Sequence, residues 1–152
     1  MTSIMSGINN ISSYVANNTY QEISSEILFT VHTYDIDFAG HLNNIVYVRW
    51  IEQLRTELFN KYFNLQELLS NNLYPVVIST NITYKKALKL FDRPEGIIHY
   101  LCFSHGIITL TFEIKQGVKI AAYGEQKCVL MDLNTGKMDK EKLKFLQKQN
   151  VY

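Results

Sequence analysis

The chain has 152 residues, 47% hydrophobic and 12% aromatic, with a formal net charge of +1. That is enough apolar material for one domain with a real core, burying about two thirds of the surface its unfolded chain exposes. The near-neutral balance excludes a global field toward nucleic acid or an anionic membrane, so neither is expected as a partner, although a local basic patch stays open.

Cys102 and Cys128 form no CxxC pair, and they make no ligand set with His32, His99 or His105. No metal is expected, and both read as buried or half-buried free thiols, in keeping with a reducing compartment. No apolar run reaches the length of a membrane span. Residues 1–24 are rich in Asn and Ser and lack the basic start and apolar centre of a signal peptide. They read as a polar arm, loose or with a short helix around Ile11–Ala16, and the expected location is the cytoplasm.

Ser25–Tyr34 alternates Ile27, Phe29 and Val31 against Leu28, Thr30 and His32, the pattern of a strand. Asp35–Asn43 has loop composition around Gly40. From Asn44 the period changes: Tyr47, Trp50, Ile51, Leu54, Leu58 and Tyr62 recur three or four apart, the stripe of a helix. Arg49, Glu52, Gln53, Thr56 and Asn60 cover its other side, and Asn43 or Asn44 is the expected N-cap. Glu52 and Arg55 read as an exposed pair three apart, contributing roughly 0.2–0.5 kcal/mol. A second short helix is expected at Leu65–Ser70, broken by "NNLYP".

The remainder reads as strands. Val76–Lys85 sets Val76, Ile78, Thr80, Ile82 and Tyr84 against Val77, Ser79, Asn81 and Thr83. Phe91–Gly96 is a loop, Ile97–Phe103 and Ile107–Lys115 are strands, and Val118–Leu133 is a longer strand bent by a bulge at Gly124. A charged helix is expected over Asp139–Gln149. Strands joined by short turns are antiparallel, and one helix cannot cover both faces of such a sheet. The expected fold is therefore α+β: a curved five-stranded antiparallel sheet wrapped around one long helix. It spans residues 25–135, between the polar arm at 1–24 and the tail helix at 136–152.

Chemistry concentrates in "DIDFAGHLNNIVYVRW", Asp35–Trp50. Asp37 lies just before a helix start, whose first amides have no intrahelical acceptor and carry partial positive charge. Such an end holds a developing oxyanion. Gly40 supplies a positive φ or a close backbone approach. A carboxylate beside an oxyanion-stabilising helix end suits attack on, or hydration of, an activated carbonyl. The plainer readings are that Asp37 caps a turn, Asp35 holds the loop, His41 is a loop histidine, and Tyr47 and Trp50 belong to the core; the alternative for Tyr47 is a substrate contact, its hydroxyl reaching the pocket. Ser79, Asn81 and Thr83 either line a pocket or face solvent. Lys85, Lys86, Lys89 and Arg93, offset by Asp92, are a basic cluster suited to phosphates, to an acidic protein, or to a solvated sheet edge.

The same stretch resembles the signature of hotdog-fold acyl-CoA thioesterases of the 4-hydroxybenzoyl-CoA thioesterase type, D-x-D-x-x-G-H-x-N-N-x-x-Y-x-x-W. Asp35, Asp37, Gly40, His41, Asn43, Asn44, Tyr47 and Trp50 stand in register with it. The resemblance spans about Glu26 to Leu133. It implies the hotdog fold, with Asp37 as the catalytic carboxylate and the backbone amide near Asn44 on the thioester carbonyl. It further implies Gly40 in the connecting turn and His41 lining the site. It also implies a homodimer or homotetramer whose sites lie at subunit boundaries, with residues of the partner's Val76–Tyr84 strand completing the pocket. No cofactor is implied, coenzyme A being part of the substrate. Relatives often carry a proline where Ala87 stands, which bears on the shape of the thioester channel. Three rival functions keep the fold: a thioesterase acting on an acyl carrier protein, a non-catalytic acyl-thioester binding module, and a dehydratase of 3-hydroxyacyl thioesters.

Overall fold

A helix of twenty residues organises the molecule. In the computed structural model, which describes residues 22–141, α1 runs over Asn44–Phe63. Asn43 starts it: its side chain accepts the Ile45 N–H at 3.1 Å, and its carbonyl accepts the Val46 N–H at 2.9 Å. Asn64, at φ 47, ends α1 in the left-handed region and opens α2, Leu65–Ser70. The buried stripe includes Tyr47, Trp50, Ile51, Leu54, Leu58, Phe59 and Phe63.

Six strands surround this helix: β1 (Ser24–Leu28), β2 (Leu73–Tyr84), β3 (Glu95–Ser104), β4 (Ile107–Gln116), β5 (Lys119–Asp132) and β6 (Lys137–Asp139). They form one antiparallel sheet in the order β1-β3-β4-β5-β2, with β6 paired to β5. Ile98, Leu110, Phe112, Ile114 and Leu130 of the sheet share one core with the stripe of α1. Each such side chain, fully buried, stabilises the fold by about 1.5–3 kcal/mol. Phe29 stacks on Trp50 with centroids 4.5 Å apart, fixing the chain after β1 to the helix. This is the α+β hotdog architecture, a curved antiparallel sheet around one long helix.

Several details differ from the sequence reading. β1 stops at Leu28: the Phe29 N–H still reaches the Pro94 carbonyl at 2.8 Å, but β3 begins only at Glu95, so no partner strand remains. Phe29 and Val31 nevertheless stay buried. β2 starts earlier, at Leu73, and carries Pro75, which an edge strand tolerates. Ile78 is an extra residue in β2, because Val77 faces Cys128 and Ser79 faces Lys127. That shift breaks the expected alternation and moves Val77 to the helix side with Thr80, Ile82 and Tyr84. Gly124 is in regular register. A Cβ there would lie 1.9 Å from the Asn81 carbonyl oxygen, so close approach rather than a bulge requires the glycine. The surplus residue of β5 is Ala121, whose carbonyl accepts the N–H groups of both Lys85 and Lys86.

Cys128 is buried, but Cys102 is exposed, because Leu101 is an extra residue in β3 that turns Cys102 to the outer face opposite Thr109 and Phe103 toward the core. Arg55, read as an exposed partner of Glu52, is only 7% exposed. It faces the sheet, donates to the Gln126 side chain at 2.8 Å and still pairs with Glu52. Asp139, the expected start of the tail helix, ends β6. Residues 142–152 and the possible helix at Ile11–Ala16 lie outside the described residues.

Candidate active site

One carboxylate anchors the loop between β1 and α1. Asp35, 3% exposed, accepts the His32 N–H at 3.0 Å and the Arg49 guanidinium at 2.6 Å. Its backbone carbonyl accepts the Asn43 N–H at 2.8 Å. Charge-assisted bonds of this kind are the strong ones. Asp35 therefore ties the loop to both the cap and the second turn of α1, the holding role expected of it.

The next turn carries Asp37. Ile36 and Leu42 face each other across an antiparallel bridge, the Asp37 N–H donates to the His41 carbonyl at 2.8 Å, and the Gly40 N–H donates to the Asp37 carbonyl at 3.0 Å. Gly40 has φ +76, a conformation costly for residues with a Cβ. Asp37 Oδ1 accepts the Ala39 N–H at 2.9 Å and the His41 N–H at 3.3 Å. Its Oδ2 has no partner among the described residues. The carboxylate thus caps the turn through one oxygen. His41 itself is exposed.

At the helix start the amides are nearly all taken. Asp35 holds the Asn43 N–H, and Asn43 holds those of Ile45 and Val46. The Asn44 N–H has no acceptor among the described residues. It is an open donor at the positive end of the helix dipole.

Beneath this end lies Tyr47, whose ring meets Tyr84 of β2 edge-on at 5.1 Å and Trp50 at 5.9 Å. Burial pushes the Tyr47 hydroxyl up to about 12; Tyr84 and Asp92 add to this, against a hydrogen bond from the Leu88 backbone. It is a neutral phenol at physiological pH. The Tyr84 hydroxyl, itself raised by burial, lies 3.5 Å from the Asn44 carbonyl. The sequence reading gave Tyr84 no role, since alternation placed it on a strand face without pairing that face to the helix start.

The structure thus gathers Asp37, Gly40, His41, Asn44 and Tyr47 at one end of α1. Ser79, Asn81 and Thr83 lie elsewhere: they face Lys127, Glu125 and Tyr123 of β5, on the side of the sheet away from α1. Lys85 sits with its ammonium 5.8 Å from the Tyr123 ring centroid, and Lys86, Lys89 and Arg93 are exposed on the loop that follows. That loop meets the Asp37 loop where the Leu42 N–H donates to the Leu88 carbonyl at 2.7 Å.

A cavity of about 310 Å³ lies behind the Asp35 clamp, lined by Phe29, His32, Asp35, Arg49 and Trp50 among others. Another, of about 260 Å³, runs along Glu52, Gln53 and Thr56. Asp37 lines neither. Among the described residues no cluster of His, Cys, Asp or Glu is arranged to hold a metal ion, and no helix is long and apolar enough to cross a membrane.

The sequence profile of the thioesterase-like superfamily matches residues 31–148, more than half of the chain. The chain belongs to the thioesterase-like superfamily. Solved structures agree on the fold. YbaW, a probable thioesterase from Escherichia coli, is 23% identical, with a TM-score of 0.70 over 86% of this chain and 99% of that one. A DHNA-CoA thioesterase from Staphylococcus aureus is 16% identical, with a TM-score of 0.71 over 85% and 96%. A 1,4-dihydroxy-2-naphthoyl-CoA thioesterase from Synechocystis is 14% identical, with a TM-score of 0.72 over 85% and 98%. No curated protein matches the chain. Membership in the superfamily supports thioester hydrolysis in general.

Proposed function

We propose that the chain hydrolyses an acyl- or aroyl-CoA thioester to the free acid and coenzyme A, as enzymes of the 4-hydroxybenzoyl-CoA thioesterase type do. What supports this reading is that the Asp37 turn leads within a few residues into the start of α1, and that one Asp37 carboxylate oxygen and the Asn44 N–H have no partner among the described residues. The thioester carbonyl accepts the Asn44 N–H, which polarises it and holds the oxyanion; one such donor contributes about 3 kcal/mol to the barrier. Asp37 then acts in one of two ways. It attacks the carbonyl carbon, expelling the thiolate and leaving a mixed anhydride that water opens, or it takes a proton from the water that attacks. Gly40 keeps the turn tight enough to place the carboxylate, and His41 stands at the rim.

We infer that a second copy of the chain completes the site. β2 is an edge strand of twelve residues, and Tyr74, Val76, Ile78 and Tyr84 along it are exposed. A long apolar edge of this kind is a template for pairing with another strand. A homodimer formed there brings a partner strand to the mouth of the site; edge-to-edge pairing keeps Ser79, Asn81 and Thr83 on the face away from α1, so the candidate substrate contacts pass to the helix-side residues Thr80, Ile82 and Tyr84. Lys85, Lys86, Lys89 and Arg93 serve the phosphates of the carrier.

The test is thiol release from short, long and aromatic acyl-CoA substrates by wild type and Asp37→Asn. The expected result is turnover on at least one class and a large loss of kcat in the variant, with the melting temperature little changed. Near-normal rates in the variant would remove Asp37 from the mechanism, and binding without turnover would leave a non-catalytic module.

A further inference from the structure

The loop before α1 is a small hairpin hung on the helix cap. Its arms are residues 35–37 and 41–43: the Asn43 N–H donates to the Asp35 carbonyl, Ile36 bridges to Leu42, and the Asp37 N–H donates to the His41 carbonyl. Asp37 stands where the chain turns, and Asn43, at the other end, caps α1. Held by its cap alone, such a hairpin is free to swing, and the swing moves the Asp37 carboxylate relative to the Asn44 N–H. Leu42 seats the hairpin on the core, but apolar contact is non-directional and sets no angle. The bond from Leu42 to the Leu88 carbonyl leads to another loop and not to the helix.

One side-chain bond closes this hinge. Arg49 lies on the second turn of α1, and its guanidinium donates to Asp35 Oδ1 at 2.6 Å. Asp35 Oδ2 accepts the His32 N–H at 3.0 Å, so both oxygens of a buried carboxylate are held. Among the described residues, no other side-chain hydrogen bond joins the hairpin to the helix beyond its cap. A guanidinium is a planar fork that is always charged, so it fixes direction as well as distance. The cavity of about 310 Å³ lies behind this pair and is lined by both members. It sits beside β1, away from β2, the opposite edge of the sheet and the one assigned to the second copy.

We propose that Arg49 is a positioning residue for Asp37. Through Asp35 it sets the angle between hairpin and helix, and with it the place of the Asp37 carboxylate against a carbonyl held by the Asn44 N–H. This role rests on the thioesterase reading and adds to it a residue that touches no substrate. A small misplacement of a reacting group slows the chemical step and leaves ground-state binding alone. The loss therefore falls on kcat. An Arg49 that met a carrier phosphate would act on KM instead.

The test is thiol release by the full chain, as wild type, Arg49→Gln, Arg49→Lys and Arg49→Ala, on the acyl-CoA that wild type turns over fastest. Leu58→Ala, at a fully buried position in the second half of α1, serves as a destabilised control. Arg49→Gln is expected to lower kcat roughly tenfold to a hundredfold, with KM little changed. Arg49→Lys should recover part of that loss, since it keeps the charge. Methylguanidinium added to Arg49→Ala should restore part of kcat, because the cavity gives it a path to Asp35; wild type should not respond. Leu58→Ala should melt lower and keep its kcat. Wild type without turnover on any acyl-CoA would sink the thioesterase reading, and this role with it. With wild type active, the role alone falls if Arg49→Gln keeps its kcat or raises KM in place of lowering kcat. It also falls if Leu58→Ala loses as much, or if neither Arg49→Lys nor methylguanidinium recovers the rate.

Discussion

Arg55 offers the sharpest test of how α1 is held against the sheet. It is 7% exposed and donates to Gln126 Oε1 at 2.8 Å; Gln126, 3% exposed, in turn donates to the Thr80 hydroxyl at 3.0 Å. Arg55→Met keeps most of the volume and removes the donor, leaving a buried acceptor unpaired, which costs about 1–3 kcal/mol. Breaking a fully buried ion pair costs about 3–5 kcal/mol, because the abandoned charge has no water. That larger figure does not apply here, since the Glu52 side chain is 58% exposed and stays hydrated. The expected loss is therefore about 2 kcal/mol, a fall in Tm of roughly 4–8 °C for a domain of this size. The double variant Arg55→Met, Gln126→Leu removes donor and acceptor together, and the exposed Thr80 can turn to water. It should recover to within about 1 kcal/mol of wild type. Thermal and urea unfolding of the set decides the matter. A single variant as stable as wild type, or a double variant worse than the single, would refute the account.

The remaining predictions concern close packing and titration. Gly124→Ala puts a methyl 1.9 Å from the Asn81 carbonyl oxygen and 2.7 Å from the Phe112 ring. The β2–β5 pair must open by more than an ångström, so a loss of at least about 3 kcal/mol is expected, read by unfolding. Tyr47 holds its proton to about pH 12 in the fold and to about 10 when unfolded. The folded state thus binds the proton more tightly. The stabilisation is intact below pH 10 and is lost as pH rises from 10 through 12, which ultraviolet phenolate titration with unfolding curves can follow. Cys102, exposed, should react with a thiol reagent in the native protein. Cys128, buried and with burial as the main cause pushing its thiol to about 11, should react only on unfolding.

Much of the fold was legible because it rests on local periodicity. The α1 stripe, the Asn43 cap and the β4 alternation follow from spacing alone. What was hidden depends on partners far away in the sequence. Arg55 sits at a position that local pattern assigns to water, and only Gln126, 71 residues on, gives it a buried acceptor. The end of β1 is set by Pro94, and the reversal of faces in β2 by one extra residue against β5. The candidate site divides in the same way. Its Asp37, Gly40, His41, Asn43 and Asn44 fall within one short stretch and could be read directly. The Asp35–Arg49 clamp and the Tyr84 contact appear only when the loops are folded onto one another.

The extra residue in β2 also bears on how chain length should be compared among relatives. Val77 and Ser79 face adjacent residues of β5, so a relative lacking the residue between them would keep each of the remaining cross-strand partners. An alignment gap at Ile78 is thus conformationally mild: it straightens the edge and leaves the inside–outside order untouched. A single insertion opposite it, beside Cys128, would instead turn a whole strand segment inside out.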